Sequence, residues 1–409
     1  MSARRAARWR RPAGGFCKTR TRPGLFVFAA ASCGRGWLAW WLLFACSALQ
    51  AATIVVGDGV ASLADAVRRA RDGDTILLPS GEYRGDAAVI HQKQLTIRGH
   101  GAARPVLIAG GRSAEGKAIL VVRDGDILIE NIEFRGARVP DGNGAGIRFE
   151  KGRLLVRGCA FFDNEIGLLT ANFEDARLII EDSIFAGAPP HAGALHHLLY
   201  AGRIASLKVS GSRFHRGHTG HLLKSRAQRT ELAYNLLVDG EGGRASYEVD
   251  LPNGGDALLV GNVIGQSAHT ENRVLVAYGA EGHAWPHSRL RMAHNTLLND
   301  GVQPAWFLRV WRDRLPPGTP VQAVNNLSVG FGVFTLGASG EFAGNHAAWP
   351  SMLVAPEALD FALRADSALR GRGVQQVSEA LRPRAEFSLP VGTQPLAAPP
   401  RWTPGAFQR

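Results

Sequence analysis

The sequence predicts an all-β solenoid of short strands stacked in parallel, closed at its first coil by a short helix. Three observations predict it: a recurring strand-and-turn motif, a composition rich in turn formers, and a helix-start signature just ahead of the repeat. From residue 95 the motif reads "LTIRG", "ILIENIEFRG", "LLVRGCAFFDN", "LIIEDSIFAGA", "LKVSGSRFHRG", "ELAYNLLVDG", "LLVGNVIGQ", "LRMAHNTLLND" and "VQAVNNLSVG". Taking Phe134, Phe161, Phe185, Phe214, Leu237, Ile264 and Leu297 as equivalent gives intervals of 27, 24, 29, 23, 27 and 33 residues. Periods of roughly 20–50 residues mark solenoids, in which each repeat buries its apolar face only against its neighbours. The units are β-branched, punctuated by Gly and Asn, and lack helical spacing.

The 409 residues include 49 Gly and 21 Pro with an aromatic share of 8%, which suits many short elements joined by tight turns. The recurring Asn131, Asn235, Asn262, Asn295 and Asn326 suit corners, because Asn tolerates left-handed backbone and bonds along a stacked ladder. Ahead of the repeat, "SLADAVRRARDGDTILLPSGEY" places Ser62 and Asp65 as a capping box before a short amphipathic helix. Such a helix would cover the open edge of the first coil. After about residue 350 the repeat fades into a Pro- and Arg-rich tail. The expected organisation is therefore 1–52 leader, 53–350 solenoid and 351–409 tail packed along it.

Charge is concentrated in the leader. Nine of the basic residues behind the net +12 lie within 1–52, which has no acidic residue, so the remainder carries about +3. That excludes a basic nucleic-acid-binding surface as the meaning of the overall charge. The basic stretch runs into "WLAWWLLFACSALQAA", an apolar run of about a dozen residues, shorter than the ~20 that a membrane span needs. The expectation is an exported protein, periplasmic or extracellular, touching a membrane only through this segment, either a cleaved signal peptide or an uncleaved anchor. Cys17, Cys33 and Cys46 fall in the leader, so Cys159 alone rules out an internal disulfide or a cysteine-based zinc site in the remainder. A monomer is expected.

The capping stretch quoted above and the ending "DFALRADSALRGRG…WTPGAFQR" resemble the right-handed parallel β-helix superfamily, which includes pectate lyases and the chondroitinase B and alginate lyase group. The resemblance spans residues 53–409. It implies a right-handed single-stranded parallel β-helix with an N-terminal capping helix, and an acidic polysaccharide as partner.

Six segments align as strands of one face: "GLLTAN", "HLLYAG", "HLLKSR", "YEVDLP", "VLVAYG" and "WFLRVW". Their third column is Leu169, Leu199, Leu223, Val249, Val276 and Leu308, all aliphatic and expected to face the core. Strand alternation then turns the fourth column outward, with Thr170, Tyr200, Lys224, Asp250, Ala277 and Arg309. It also turns out the second column, which holds Glu248 and Phe307, and the sixth, which holds Arg226 and Trp311. His197 and His221, in the first column, are expected to face inward.

A β-elimination needs a base, a proton donor for the leaving oxygen and a cation on the carboxylate. Lys224 is the candidate base, Tyr200 the acid, and Arg226 or Arg309 the clamp. Phe307 and Trp311 offer stacking surface; Asn253 and, from the "YGAEGHAWPH" loop that also holds Glu281 and Trp285, His283 complete the candidate binding residues. In the lyase group that the chain resembles, a Lys followed by Ser serves as base, and Lys224-Ser225 is similar to that pair. Where that group has an Arg one coil later, this chain has Asp250.

Two other readings stay open. Glu248 and Asp250 could serve as the acid and base of a glycosidase, or the file could be a salt-bridged ladder of a non-catalytic carbohydrate-binding protein. The sequence fixes no cofactor: Asp250, Glu248 and Asp256 carry oxygens suited to Ca²⁺, but three residues fall short of the roughly 6–8 oxygen ligands it takes.

Overall fold

The computed structural model describes residues 51–190 and 195–409; the expected leader lies outside them but for its last two residues. No helix among the described residues is long and apolar enough to cross a membrane. The chain visits three parallel sheets in turn, so that each strand pairs with those one coil before and after it. Among the described residues the sheets hold 12, 11 and 10 strands. One coil illustrates the order: Arg229–Ala233 on the 12-stranded sheet, Leu236–Val238 on the 11-stranded sheet, Val249–Leu251 on the 10-stranded sheet. The coil winds as a right-handed parallel β-helix, the hand that twisted strands favour.

The equivalences drawn from the sequence are the register of the 11-stranded sheet. Phe134, Phe161, Phe185, Phe214, Leu237, Ile264 and Leu297 are successive partners. The four phenylalanines stack inside the coil with centroids 5.0, 4.4 and 4.8 Å apart, each fully buried and excluding water from the core.

The corner between the 12- and 11-stranded sheets is tight and repeats. One residue per coil is left-handed, including Asn131, Asp182, Tyr234, His294 and Asn325. The next residue carries a buried ladder. Asn235, Asn262, Asn295, Asn326 and Asn345 each present Oδ1 to the backbone N–H and Nδ2–H of the preceding rung where that rung is Asn, at 2.8–3.0 Å. Earlier in the coil Ser212 and Ser183 play the same part. Asn131 therefore belongs to the left-handed position, one residue before the ladder with which the sequence grouped it.

The helix Leu63–Arg69 closes the first coil with Leu63, Ala66 and Val67 buried. Ser62 caps it by accepting from Asp65 N–H, and Asp86 accepts from the N–H groups of Leu63 and Ala64 at 2.6 and 2.9 Å. These bonds satisfy donors that a helix start leaves free.

Residues beyond 350 lie along the outer faces of the 12- and 11-stranded sheets. Phe361, Phe387 and Phe407 pack on Leu236, Val263, Leu298 and Leu327; Val377 and Leu381 pack on Val260, Ala293 and Val324. Arg384 N–H donates to Tyr234 Oη and Ala406 N–H to Thr296 Oγ1. The tail thus covers two outer faces with apolar contacts, and neither of those clusters includes a residue of the 10-stranded sheet.

Candidate functional site

The 10-stranded sheet carries the predicted file. Tyr200 pairs in register with Lys224, Lys224 with Asp250, Asp250 with Ala277, and Ala277 with Arg309. The first aligned segment is shifted by one: Leu169, and not Thr170, pairs with Tyr200. Leu169 accordingly packs with Tyr200 in an apolar cluster separate from the main core. Arg148 pairs with Leu169 and extends the file two coils before Tyr200.

Strict alternation fails at the second column. Leu198, Leu222, Leu275 and Phe307 lie in the core cluster together with the third-column Leu199, Leu223, Val276 and Leu308. The chain turns the corner into this sheet there, so two successive side chains point inward. In two earlier coils the same column is Gly146 and Gly167, where a Cβ on Gly167 would come within 2.7 Å of the Phe185 ring. Phe307 is therefore core and not a sugar platform. Glu248 is core as well, between Leu222 and Leu275 of the adjacent coils. It is fully buried, neither oxygen has a hydrogen bond, and burial pushes its carboxyl well above the usual range, with Asp239 adding to the rise.

Glu248 and Asp250 thus face opposite sides of the sheet, which removes the hydrolase pair. The expected result for Glu248→Leu is retained ligand binding and a raised thermal midpoint, since a buried unpartnered carboxyl costs about 1–3 kcal/mol. Loss of binding with the fold intact would restore Glu248 to the site.

The same inward double turns the first column outward, which corrects His197 and His221. His221 N–H donates to His197 Nδ1 at 3.0 Å and Tyr247 N–H to His221 Nδ1 at 3.2 Å. Each ring thus keeps Nδ1 as an acceptor and carries its proton on Nε2. His221 Nε2 lies 3.3 Å from Asp250 Oδ2. Burial depresses both histidines, His197 to about 3, with Lys224 adding to the shift in His197 and the neighbouring His197 in His221.

Around this floor the charged groups converge. Lys224 Nζ lies 3.2 Å from Asp250 Oδ2 and 3.1 Å from Glu281 Oε1. Arg226 donates Nε–H to Tyr200 Oη at 2.9 Å, reaches Glu281 Oε2 at 2.6 Å, and bonds Asn253 Oδ1. Glu281 arrives from the loop between Val274–Tyr278 and the next coil, and Trp285 of that loop donates Nε1–H to the Arg226 carbonyl at 3.0 Å. Asp250 is 2% exposed, its Oδ1 has no protein partner, and burial raises its carboxyl to about 6 against the opposing pull of Lys224.

Not all predicted residues join this cluster. His283 is bound to the Arg314 carbonyl at 3.1 Å and is exposed. Arg309 and Trp311 lie three coils further on, where the guanidinium sits 4.7 Å from the Trp306 ring and 4.4 Å from the Trp311 ring. Ser225 turns inward to Thr230. The three carboxylates considered for Ca²⁺ separate: Asp250 beside Lys224 and His221, Glu248 in the core, Asp256 held by Arg289 and Arg291. Among the described residues no group of three or more His, Cys, Asp or Glu side chains converges as a metal site.

A cleft of about 820 Å³ lies elsewhere, between the 12-stranded sheet and residues 379–393. Several of its charges are paired with one another, Lys208 with Glu231 and Arg384 with Glu379, so it lacks the convergent cations of the 10-stranded face.

The buried acid and imidazoles make stability depend on pH. Below about 6.5 the unfolded chain protonates His197 while the folded chain refuses the proton until about 3, so folding weakens as pH falls through that window. His215 and His294, each depressed to about 4, act in the same direction. Asp250 acts oppositely: between 3.8 and about 6 the folded chain keeps a proton that the unfolded chain has released, so its contribution falls as pH rises. Asp239, raised by burial to about 6, and Glu248, raised well above its usual range, act with Asp250, and the four depressed imidazoles of His197, His215, His221 and His294 outnumber these three buried carboxyls. Thermal melts are expected to show a loss on the order of a few kcal/mol on going from neutral pH to about pH 4, and a flat profile would contradict the neutral imidazoles.

No protein-family model and no curated protein sequence matches the chain. Among solved structures, pectate lyase Pel9A superposes with a TM-score of 0.65 at 13% identity, covering 88% of this chain and 96% of that one. An alginate lyase from Paenibacillus sp. str. FPU-7 aligns with a TM-score of 0.38 at 15% identity over 73% of this chain and 99% of that one. Three registered parallel sheets and the superposition on Pel9A agree: the chain has the right-handed parallel β-helix fold of pectate lyase.

Proposed function

We propose that the protein is exported and acts on an acidic polysaccharide by β-elimination at the Tyr200–Lys224–Arg226 cluster. The observation that carries this reading is Glu281: one carboxylate is held between an ammonium at 3.1 Å and a guanidinium at 2.6 Å. A receptor that takes this carboxylate from a loop can take a uronate carboxylate from a sugar. Lys224 Nζ is engaged by two carboxylates, which suits it to the clamp better than to the role of base. The histidines carry their protons on Nε2, and His221 directs its own toward Asp250.

Proton transfer then falls to Tyr200. Its oxygen accepts from Arg226, so its own proton is uncommitted and charge developing on it is stabilised. Tyr200 takes the proton from the carbon next to the carboxylate, the double bond forms toward the neighbouring carbon, and the bond to the glycosidic oxygen breaks. Tyr200 passes its own hydroxyl proton to that oxygen in the same step and keeps the one taken from carbon, so it ends as a neutral phenol and the step balances without a co-reactant.

The test is ultraviolet absorbance of the unsaturated uronate product while the purified protein meets polygalacturonate, alginate and chondroitin sulfate. A rise with the native protein that Tyr200→Phe abolishes is expected. Binding without a rise would make this a carbohydrate-binding protein, and a rise unaffected by Tyr200→Phe would move the proton transfer to another group.

A further inference from the structure

The two ends of the solenoid are finished differently. At the first coil the helix Leu63–Arg69 covers the core. At the last coil the three sheets end on Glu341–Ala343, His346–Ala348 and Gly332–Val333, and no strand pairs with the outer edge of any of them among the described residues. The interior opens there as well. Ala347 is the last member of the inward column that starts at Phe134; it follows Leu297 and Ser328, and it is exposed while both of those are buried. Phe334 and Phe342 meet edge to face at 6.2 Å and are only partly buried. The tail leaves this end open: its apolar clusters lie on the sides of the coil and include none of Phe331, Val333, Phe334, Leu336, Phe342 and Ala347. Residues 331–349 hold one charged side chain, Glu341, and no proline. Four of the nine exposed large apolar side chains among the described residues, Phe331, Val333, Leu336 and Trp349, are concentrated there. Free sheet edges are ordinarily guarded by charges, prolines or a covering element, and an unguarded apolar end marks a contact surface.

We propose that two copies of the chain join end to end at this last coil about a two-fold axis. The occupant has to offer three strand edges around one apolar interior at the spacing of a coil, and the open end of a second copy offers them. Head-to-tail stacking is blocked by the helix on the first coil, so the assembly closes as a dimer. Strands that meet across a two-fold run antiparallel, a pairing that satisfies both sets of edge groups. The size fits. From Gln322 to its partner Glu341 the last coil takes 19 residues. At ~3.3 Å per residue, with a shell of side chains, its end face is on the order of 700 Å², close to the ~800 Å² per partner of a stable complex. The joint lies four coils beyond Lys224 and is independent of the chemistry proposed there. It departs from the monomer expected from the sequence.

Sedimentation equilibrium of the purified protein over a dilution series tests it. A dimer is expected for the native chain. Lysine at the joint buries an unpaired charge, so L336K and A347K should each weaken dimerisation about 100-fold or more. V354K, which alters an exposed apolar residue of the tail, should leave it unchanged. Circular dichroism checks folding, and A347K, at a position already exposed, decides the matter if L336K does not fold. A native protein that stays monomeric at every concentration overturns the joint. So does a dimer that survives both joint variants, or one that V354K dissociates equally. Growth beyond two copies overturns the two-fold closure.

Discussion

Replacing Arg226 by alanine is expected to lower kcat/KM on the cleaved polysaccharide by about 10²- to 10³-fold, the usual cost of removing one preorganised group that meets developing charge. Three contacts go at once: the Nε–H to Tyr200 Oη, the ion pair to Glu281, and the bond to Asn253. Carboxylate charge grows as the neighbouring proton leaves, so the loss should fall on kcat more than on KM. Arg226→Lys keeps the charge but not the fork and should recover only part of the rate. Steady-state kinetics of the two variants, with thermal midpoints to confirm folding, decide it. An Arg226→Ala protein that cleaves like the native one would end the proposed mechanism.

The largest effect on stability is expected from Asn262→Ala in the middle of the ladder. Asn262 is fully buried and makes four side-chain hydrogen bonds: to Leu232 O at 2.8 Å, to Asn295 Oδ1 at 2.9 Å, and from the N–H and Nδ2–H of Asn235 at 3.0 Å each. Alanine strands the Asn235 backbone donor, at about 1–3 kcal/mol for an unsatisfied group, and takes one bond each from the Leu232 carbonyl, Asn235 Nδ2 and Asn295 Oδ1, before any cavity is counted. A loss above ~3 kcal/mol in denaturant unfolding is expected. A loss below ~1 kcal/mol would mean that water replaces the rung.

The solenoid was legible because each coil repeats the same physical demand. The column from Phe134 to Leu297 came out in register since every member must fill the same slot in the core. Four of the five steps along the Leu169–Leu308 column did too; the slip at Leu169 arose because two adjacent leucines fit the inward column equally well. The site was legible only in part. Tyr200, Lys224 and Asp250 were found by alternation, but alternation assumes a straight strand. Where the chain turns at Leu198, Leu222, Glu248, Leu275 and Phe307, two inward residues in succession exchange the faces of everything before them. That hid His197, His221 and Trp306 and wrongly exposed Glu248 and Phe307. Gly146 and Gly167, Cβ-free in that same column, were the available signal. Glu281 could only be suspected as part of a loop, since its partners lie 57 and 55 residues earlier in the sequence.

Glu281 makes the receptor its own competitor. A carboxylate tethered by a short loop is present at an effective concentration that a free monosaccharide in dilute solution does not match. Any ligand therefore binds with its intrinsic affinity multiplied by the fraction of molecules in which the loop has let go. Single acid groups gain little by displacing it, because one carboxylate replaces another. On the proposed reading, a polymer gains contacts beyond the cluster that Glu281 does not make. The tethered side chain would then set a threshold, so that a pair of cations open to any small anion discriminates in favour of a chain.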